Sequence, residues 1–443
     1  MDMILIKKTS NKVILKKIIT NISWLLIEKL IKLVTTIAVG LWIARYLGPS
    51  QFGQLNYSIA YVALFSAFVS LGLDNIVVKE LVRNKKVTDT LLGTTFILKI
   101  CGFIVTLFIL VISLSFIEVA ILTKILILII YFGNIGTFFN VIDLWYQHQV
   151  ASKLPVYARS ASLIICALIN IVLILNKANL MYFAIITATE LIISSIGFIL
   201  IYKISQKKIN NWKFSSFWAK KLLKDSWPLI ISSLAITIYM RIDQIMLGNL
   251  YNNEEVGVYS VAVKLAELWY FIPMIFINSW FPVLVAYKER NQEEFIRKVQ
   301  QIYDLMSLIA YAIAIPVTFI APYIIKTLYG PEYSAASPVL CLYIWIGLFV
   351  NLGVARSSFL NANNWNQYQL ISSVSGCIIN IVLNLFLIPK YGAVGATVAS
   401  LFSYWFQTHG ICFFIPKLNK TALMLTKSIY SPFRLISIIK GFR

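Results

Sequence analysis

Arg241 and Asp243 stand two residues apart inside 227–250, an otherwise apolar stretch long enough to cross a bilayer. A charged side chain in hydrocarbon costs about 2.5–3.5 kcal/mol on insertion scales, so such residues face a partner or a water-filled cavity. The chemistry they offer is ionic: a guanidinium grips anions through a planar fork of donors, and a carboxylate carries a proton or a cation. Positions i and i+2 on a helix are about 200° apart, so the two side chains leave it in different directions. At 1.5 Å per residue, Arg241 lies about 14 Å from the end of its stretch. Lys264, in the next apolar stretch running back, lies at about the same depth. Two cations at matched depth on neighbouring helices form a candidate anion site. Asp243 then needs another partner, and Lys264, Lys29 and Lys32 are the cations on offer.

Other charges interrupt apolar stretches: Glu28, Lys29, Lys32, Lys99, Glu190 and, one turn beyond Lys264, Glu267. The candidate cavity cations are therefore Arg241, Lys264, Lys29, Lys32 and Lys99. The candidate ion carriers or charge partners are Asp243, Glu190 and Glu267. Glu28 and Lys32 stand at the i,i+4 spacing that lets them pair with each other. Asp74, Asp304 and Arg356 fall near span ends, where snorkelling to the interface is the simpler role.

The elements that must position these groups are membrane helices. The chain is 59% hydrophobic and only 13% charged over 443 residues, with a mean hydropathy of +0.80. That is too apolar for a soluble domain of this length. Stretches of about 20 apolar residues recur, each long enough to cross a ~30 Å core as a helix. The short alternating pattern of a membrane barrel is absent. Twelve spans are expected, near 22–46, 54–73, 91–116, 119–142, 157–176, 180–202, 227–250, 255–285, 299–325, 336–360, 367–389 and 392–416. The first carries Glu28, Lys29 and Lys32 and is too long for a cleaved signal.

The net charge of +21 is distributed as a topology signal rather than as a nucleic-acid surface. With the N-terminus placed inside, and Arg159 counted with the loop before the fifth span, 28 of the 39 Lys and Arg fall in segments on that side. The opposite side holds Arg45, Lys124, Lys177, Lys326 and Lys390. The positive-inside bias therefore puts both termini in the cytoplasm. The expected organisation is a basic N-terminus, 1–21; a six-helix bundle, 22–202; a basic linker, 203–226; a second six-helix bundle, 227–416; and a basic amphipathic tail, 417–443. The linker and the tail read as elements lying on the membrane surface. Trp24, Trp42, Trp145, Trp227 and Tyr251 read as interfacial belts.

Enzyme signatures are missing. The five cysteines are scattered without metal spacing, and neither His148 nor His409 has a Cys or carboxylate cluster near it in sequence. No Walker loop, no G-x-S-x-G and no acidic cluster on a large loop is present. The chain is expected to be no enzyme, to need no cofactor or metal, and to bind no nucleic acid.

A repeat is visible instead. Ala44-Arg45-Tyr46-Leu47-Gly48-Pro49-Ser50-Gln51-Phe52-Gly53 joins the first two spans, and Gly248-Asn249-Leu250 through Glu255-Val256-Gly257-Val258-Tyr259-Ser260 joins the seventh and eighth. Gly53 and Gly257 align at an offset of 204 residues, and Tyr391-Gly392-Ala393-Val394-Gly395-Ala396 is a third echo. Glycine permits both tight turns and close helix approach. Two halves of six spans that both begin inside make a parallel repeat.

These residues resemble the Wzx-type polysaccharide flippases, the O-antigen and capsule translocases. Asp143-Leu144-Trp145-Tyr146-Gln147, Tyr239-Met240-Arg241-Ile242-Asp243 and Leu328-Tyr329-Gly330-Pro331-Glu332-Tyr333 belong to the same pattern. The resemblance runs from about residue 20 to 416. It implies the multidrug/oligosaccharidyl-lipid/polysaccharide exporter fold, an all-α architecture of two six-helix bundles around a central cavity. It implies as cargo an undecaprenyl-diphosphate-linked oligosaccharide, turned from the inner to the outer leaflet of the bacterial plasma membrane. Membrane lipids, a polysaccharide polymerase and chain-length machinery are the partners of such a role. The cavity cations suit a diphosphate or an acidic sugar. Alternatives stay open: a cation-coupled multidrug antiporter of the same superfamily, which would favour cavity carboxylates, or a membrane polysaccharide polymerase, which normally shows a large outer loop.

Overall fold

The computed structural model describes the backbone of residues 2–434 and most side chains from residue 20 onward. The side chains of the expected N-terminal segment up to residue 19, and residues 435–443 of the expected tail, lie outside the described residues. Within them every regular element is helical. The helices that matter below are α1 (Asp2–Ser70), α2 (Asp74–Arg83), α3 (Thr88–Ser115), α4 (Ile121–Phe132), α5 (Asn140–His148), α6 (Lys153–Leu175), α7 (Leu180–Ile204), α8 (Ser216–Leu250), α9 (Asn253–Glu267), α10 (Phe271–Arg290), α11 (Gln292–Leu328), α12 (Ala336–Tyr343), α13 (Ile346–Ala362), α14 (Asn366–Trp405), α15 (Ile411–Phe414) and α16 (Asn419–Ile429).

Among the described residues, ten helical segments are long and apolar enough to cross a membrane. Two of them, Ser23–Arg83 and Gln367–Phe414, are broken by glycine. Gly48 (φ 69°) in α1 and Gly392 (φ 53°) in α14 each interrupt helical geometry where two helices join. Glycine enters positive φ without the Cβ clash that other residues meet. Pro49 follows one break and Pro389 precedes the other, which removes backbone donors that could have continued the helix. The sequence divides each of these two segments into a pair of spans, and the glycines mark the divisions.

Hydrocarbon demands internal hydrogen bonding, and several polar side chains in these helices supply it. Thr94, Thr95, Thr106, Ser372 and Ser403 each donate to the carbonyl four residues back, so none presents a bare hydroxyl to lipid. The starts of α9 and α11 are capped from outside. Asn252 Oδ1 accepts from Glu255 N at 2.8 Å, and Asn291 Oδ1 accepts from Glu293 N at 2.9 Å. Such caps satisfy amides that have no partner within the helix.

The chain divides into two compact units, Met1–Leu47 with Ser58–Leu234, and Gly48–Tyr57 with Ala235–Arg443. The core of the first unites Leu73 just before α2, Val77 and Leu81 of α2, Leu91 and Leu92 of α3, Val141 and Trp145 of α5, Tyr202 of α7 and Leu222 of α8. Trp145 is only 7% exposed, so it is a core residue and not part of an interfacial belt. Trp42, Trp227 and Tyr251 are exposed. The linker packs on this unit: Trp212 meets the rings of Phe96 and Tyr202, and Lys221 pairs with Glu80 at 3.0 Å.

The core of the second unit gathers Phe295, Tyr303 and Met306 of α11, Leu352 and Leu360 of α13, Cys412 of α15 and Leu425 of α16. The tail helix α16 is part of this core. Its Ser428 donates to Asp304 Oδ1 at 2.7 Å and receives Gln300 Nε2 at 2.8 Å. Asp304 is therefore buried under the tail, where the sequence had placed it at the interface.

Candidate functional site

In the second unit, Asp243 is 4% exposed and lies among neutral groups. Tyr259 of α9 donates its hydroxyl to Oδ2 at 2.6 Å. Ser400 of α14 donates to the same oxygen, and Asn384 of α14 donates its amide to Oδ1 at 2.5 Å. Asn384 also donates to Asn380 Oδ1 at 3.1 Å, and Asn380 reaches Ser400 Oγ at 3.4 Å. The sequence expected a cation here. Among the described residues no Lys or Arg comes within ion-pair distance of Asp243, and Asn384 Oδ1 has no hydrogen-bond partner. The result is a buried carboxylate held by two hydroxyls and an amide N–H, with no counter-charge among the described residues.

The arrangement follows from helix periodicity. On α14, Asn380 and Asn384 are one turn apart on one face, and past Gly392 the helix presents Thr397, Ser400 and Tyr404 on another such face. Sequence reasoning missed these residues because none is charged. Two asparagines at i,i+4 in an apolar span were the available signal.

Arg241 points elsewhere. It shares an electrostatic environment with Lys264 and Glu267 of α9, so the structure does bring these three charged groups together in one unit. Neither cation has a carboxylate within ion-pair distance among the described residues. Lys264 Nζ instead sits 4.5 Å over the ring of Phe52. Around them stands a tyrosine cluster. The rings of Tyr239 and Tyr404 are 4.3 Å apart, those of Tyr259 and Tyr343 5.7 Å, and the hydroxyls of Tyr239 and Tyr270 have no hydrogen-bond partner among the described residues.

Arg356 is the other buried cation of this unit, 1% exposed. The sequence placed it at an interface. The structure buries it against a wide turn, Phe406–Gly410, whose carbonyls at Gln407 and Thr408 accept from its NH1 at 2.8 and 3.0 Å. A π turn leaves carbonyls without their usual helical donors, and a guanidinium supplies them.

In the first unit, the local expectation for Glu28 fails. Its partner is Arg159 of α6, which donates Nε and NH2 to the two Glu28 oxygens at 2.7 and 2.8 Å. Arg159 NH1 also holds Asp143 at 2.8 Å, and Gln147 donates to Asp143 Oδ2 at 2.9 Å. A bidentate pair 131 residues apart outcompetes the i,i+4 neighbour because the planar fork matches a carboxylate, whereas Lys32 offers a point charge. This explains the Asp143–Gln147 motif: Asp143 holds the charge, Gln147 hydrogen-bonds it, and Trp145 and Tyr146 fill the core.

Lys32 is exposed and within the electrostatic field of Glu190. Lys29 is also exposed. Lys99 is placed differently, 2% exposed and bound to Asp74 at 2.9 Å, so its charge is already answered. Among the described residues no group of three His, Cys, Asp or Glu could hold a metal ion. What these residues offer chemically is a buried carboxylate held by neutral donors and, nearby in the same unit, two half-buried cations.

The family model described as polysaccharide biosynthesis protein matches residues 14–288, and the MatE model matches 228–386. The chain is 28% identical over 177 residues to the probable flippase AglR of Haloferax volcanii, covering 37% of this chain and 35% of that protein. The match thus spans about a third of that relative's length. The capsular polysaccharide biosynthesis protein CapF of Staphylococcus aureus is 23% identical over 422 residues, 88% of this chain and 98% of CapF. Among solved structures, the lipid II flippase MurJ in an inward closed conformation superposes with a TM-score of 0.70 at 16% identity, over 96% of this chain and 97% of MurJ. At that identity the likeness speaks for the fold. The chain belongs to the polysaccharide biosynthesis protein family.

Proposed function

We propose that this protein turns an undecaprenyl-diphosphate-linked oligosaccharide from the inner to the outer leaflet of the plasma membrane, for assembly of a surface polysaccharide. The observation that carries the reading is the pair Arg241 and Lys264, two half-buried cations on consecutive helices with no carboxylate in ion-pair range among the described residues. A diphosphate supplies the missing negative charge. Lys29 and Lys32 offer further cations in the first unit. Lys99, spent on Asp74, is the weakest of the proposed five.

The isoprenoid tail stays in lipid, and the polar head needs a hydrated, cation-lined path. Alternating access moves it, with 22–202 and 227–416 rocking as two bundles and both termini cytoplasmic. Asp243 is the proposed coupling group, because a proton or a cation would neutralise a buried carboxylate that only neutral donors hold. Glu190 and Glu267 are the other carboxylates available for that task. A multidrug antiporter has less use for unpaired cations at this position.

Loss of the gene tests the reading in a cell that needs the glycan. The expected result is accumulation of the undecaprenyl-linked repeat unit on the inner leaflet. Correct export of single units without polymer would instead identify a polymerase.

A further inference from the structure

The repeat glycines have a structural task that ion binding does not explain. The segment Gly48–Tyr57 belongs to the second compact unit, although the chain on both sides of it, Met1–Leu47 and Ser58–Leu234, belongs to the first. Ten residues of the first half are thus set into the second. Phe52 is 2% and Tyr57 1% exposed.

The fit depends on the two glycines that the repeat aligns. A Cβ built on Gly53 would stand 1.7 Å from Asn253 O and 2.7 Å from Gly257 N. One built on Gly257 would stand 2.0 Å from Pro49 O. Each turn therefore rests its backbone on the other, and only glycine permits this at both positions. Gly248 likewise leaves room for the ring of Tyr57, which would lie 2.3 Å from an added Cβ, and Tyr57 donates its hydroxyl to Asn249 Oδ1 at 2.8 Å.

The same segment covers one member of the proposed cargo site, since Lys264 Nζ lies 4.5 Å over the Phe52 ring. A ring face offers an ammonium only its quadrupole, while a phosphate oxygen offers a full charge. We infer that Phe52 is a positioning residue that caps Lys264, and that the Gly48–Tyr57 segment is a latch released when an anionic head group takes the ammonium. This rests on the reading of Lys264 as a cargo contact. The consequence is that loading loosens a segment tethered at both ends to the first unit, which couples binding to the movement of that unit.

A cysteine pair reads the latch. An added Cβ at 248 falls beside the Tyr57 ring, so Tyr57→Cys with Gly248→Cys brings the two Cβ atoms near the roughly 3.5–4.5 Å separation of a disulfide. The full-length protein in lipid vesicles is oxidised with and without undecaprenyl diphosphate, and the 57–248 cross-link is quantified by peptide mapping. The cross-link is expected to form at rest and to fall several-fold with the diphosphate lipid. Lys264→Gln should abolish that fall. Phe52→Leu should lower the resting yield, and Phe52→Tyr, which keeps the ring, should restore it. The oxidised protein should stop flipping until reduced. A cross-link indifferent to the lipid in a protein that flips overturns the latch alone. Failure of the unsubstituted protein to flip any lipid-linked oligosaccharide overturns the cargo reading and the latch with it.

Discussion

Tyr259 donates its hydroxyl to Asp243 Oδ2 at 2.6 Å, tying α9 to α8 through a carboxylate that no cation among the described residues neutralises. That bond reaches α9 five residues, about 7.5 Å along the helix, before Lys264. A change of charge at Asp243 therefore reaches α9, the helix that carries Lys264, directly through a single side chain.

Asp243→Asn preserves shape and removes the charge. Flipping in vesicles should lose its response to an imposed sodium or proton gradient, while the thermal midpoint stays near that of the unsubstituted protein. Retained gradient dependence would move the coupling role to Glu190 or Glu267. The ion that drives the unsubstituted protein identifies itself in the same experiment.

Asn384→Leu removes one donor to Asp243 and leaves Oδ1 buried without a partner. Such a loss costs about 1–3 kcal/mol, so the second unit should melt earlier in a detergent thermal scan. A companion Asp243→Leu, which removes the carboxylate as well, should recover most of that stability.

Arg159→Ala leaves Glu28 and Asp143 facing each other without their shared cation. The expected destabilisation is about 2 kcal/mol, below the ~3–5 kcal/mol of a fully buried pair because this one retains some solvent access. Arg159→Lys should recover only part, since a point charge cannot serve both carboxylates as a fork does. Adding Glu28→Gln to Arg159→Ala should recover more, which a thermal melt of the three variants decides.

Gly53→Ala puts a methyl group into the backbone of α9, where neither side can yield by rotating a side chain. Overpacking of this kind costs about 1–3 kcal/mol. Expression and folded yield should fall more for Gly53→Ala than for Gly40→Ala, since nothing lies within 4 Å of a Cβ at Gly40.

Much of this was legible in the sequence, and the reasons are physical. Apolar stretches declare membrane helices, and a charge inside one declares a partner or a cavity, which is how Arg241, Asp243 and Lys264 stood out. Glycine at equivalent turns gave the repeat. What stayed hidden depended on distant or uncharged groups. Asp243 is held by Tyr259, Asn384 and Ser400, residues unremarkable by hydropathy. Glu28 is held by Arg159 from 131 residues away, and local spacing favoured Lys32 instead. Trp145 and Arg356 sit at the ends of apolar stretches, where one composition serves an interfacial anchor or a core residue equally well.

The central claim is that Arg241 and Lys264 receive the anionic head group, and transfer of a lipid-linked diphosphate oligosaccharide across vesicles containing the purified protein tests it most directly. Arg241→Ala with Lys264→Ala should slow transfer at least tenfold, the factor that accompanies a loss of about 1.4 kcal/mol of binding, and Arg241→Lys should retain part of the rate. Transfer by the double variant at the rate of the unsubstituted protein would contradict the account.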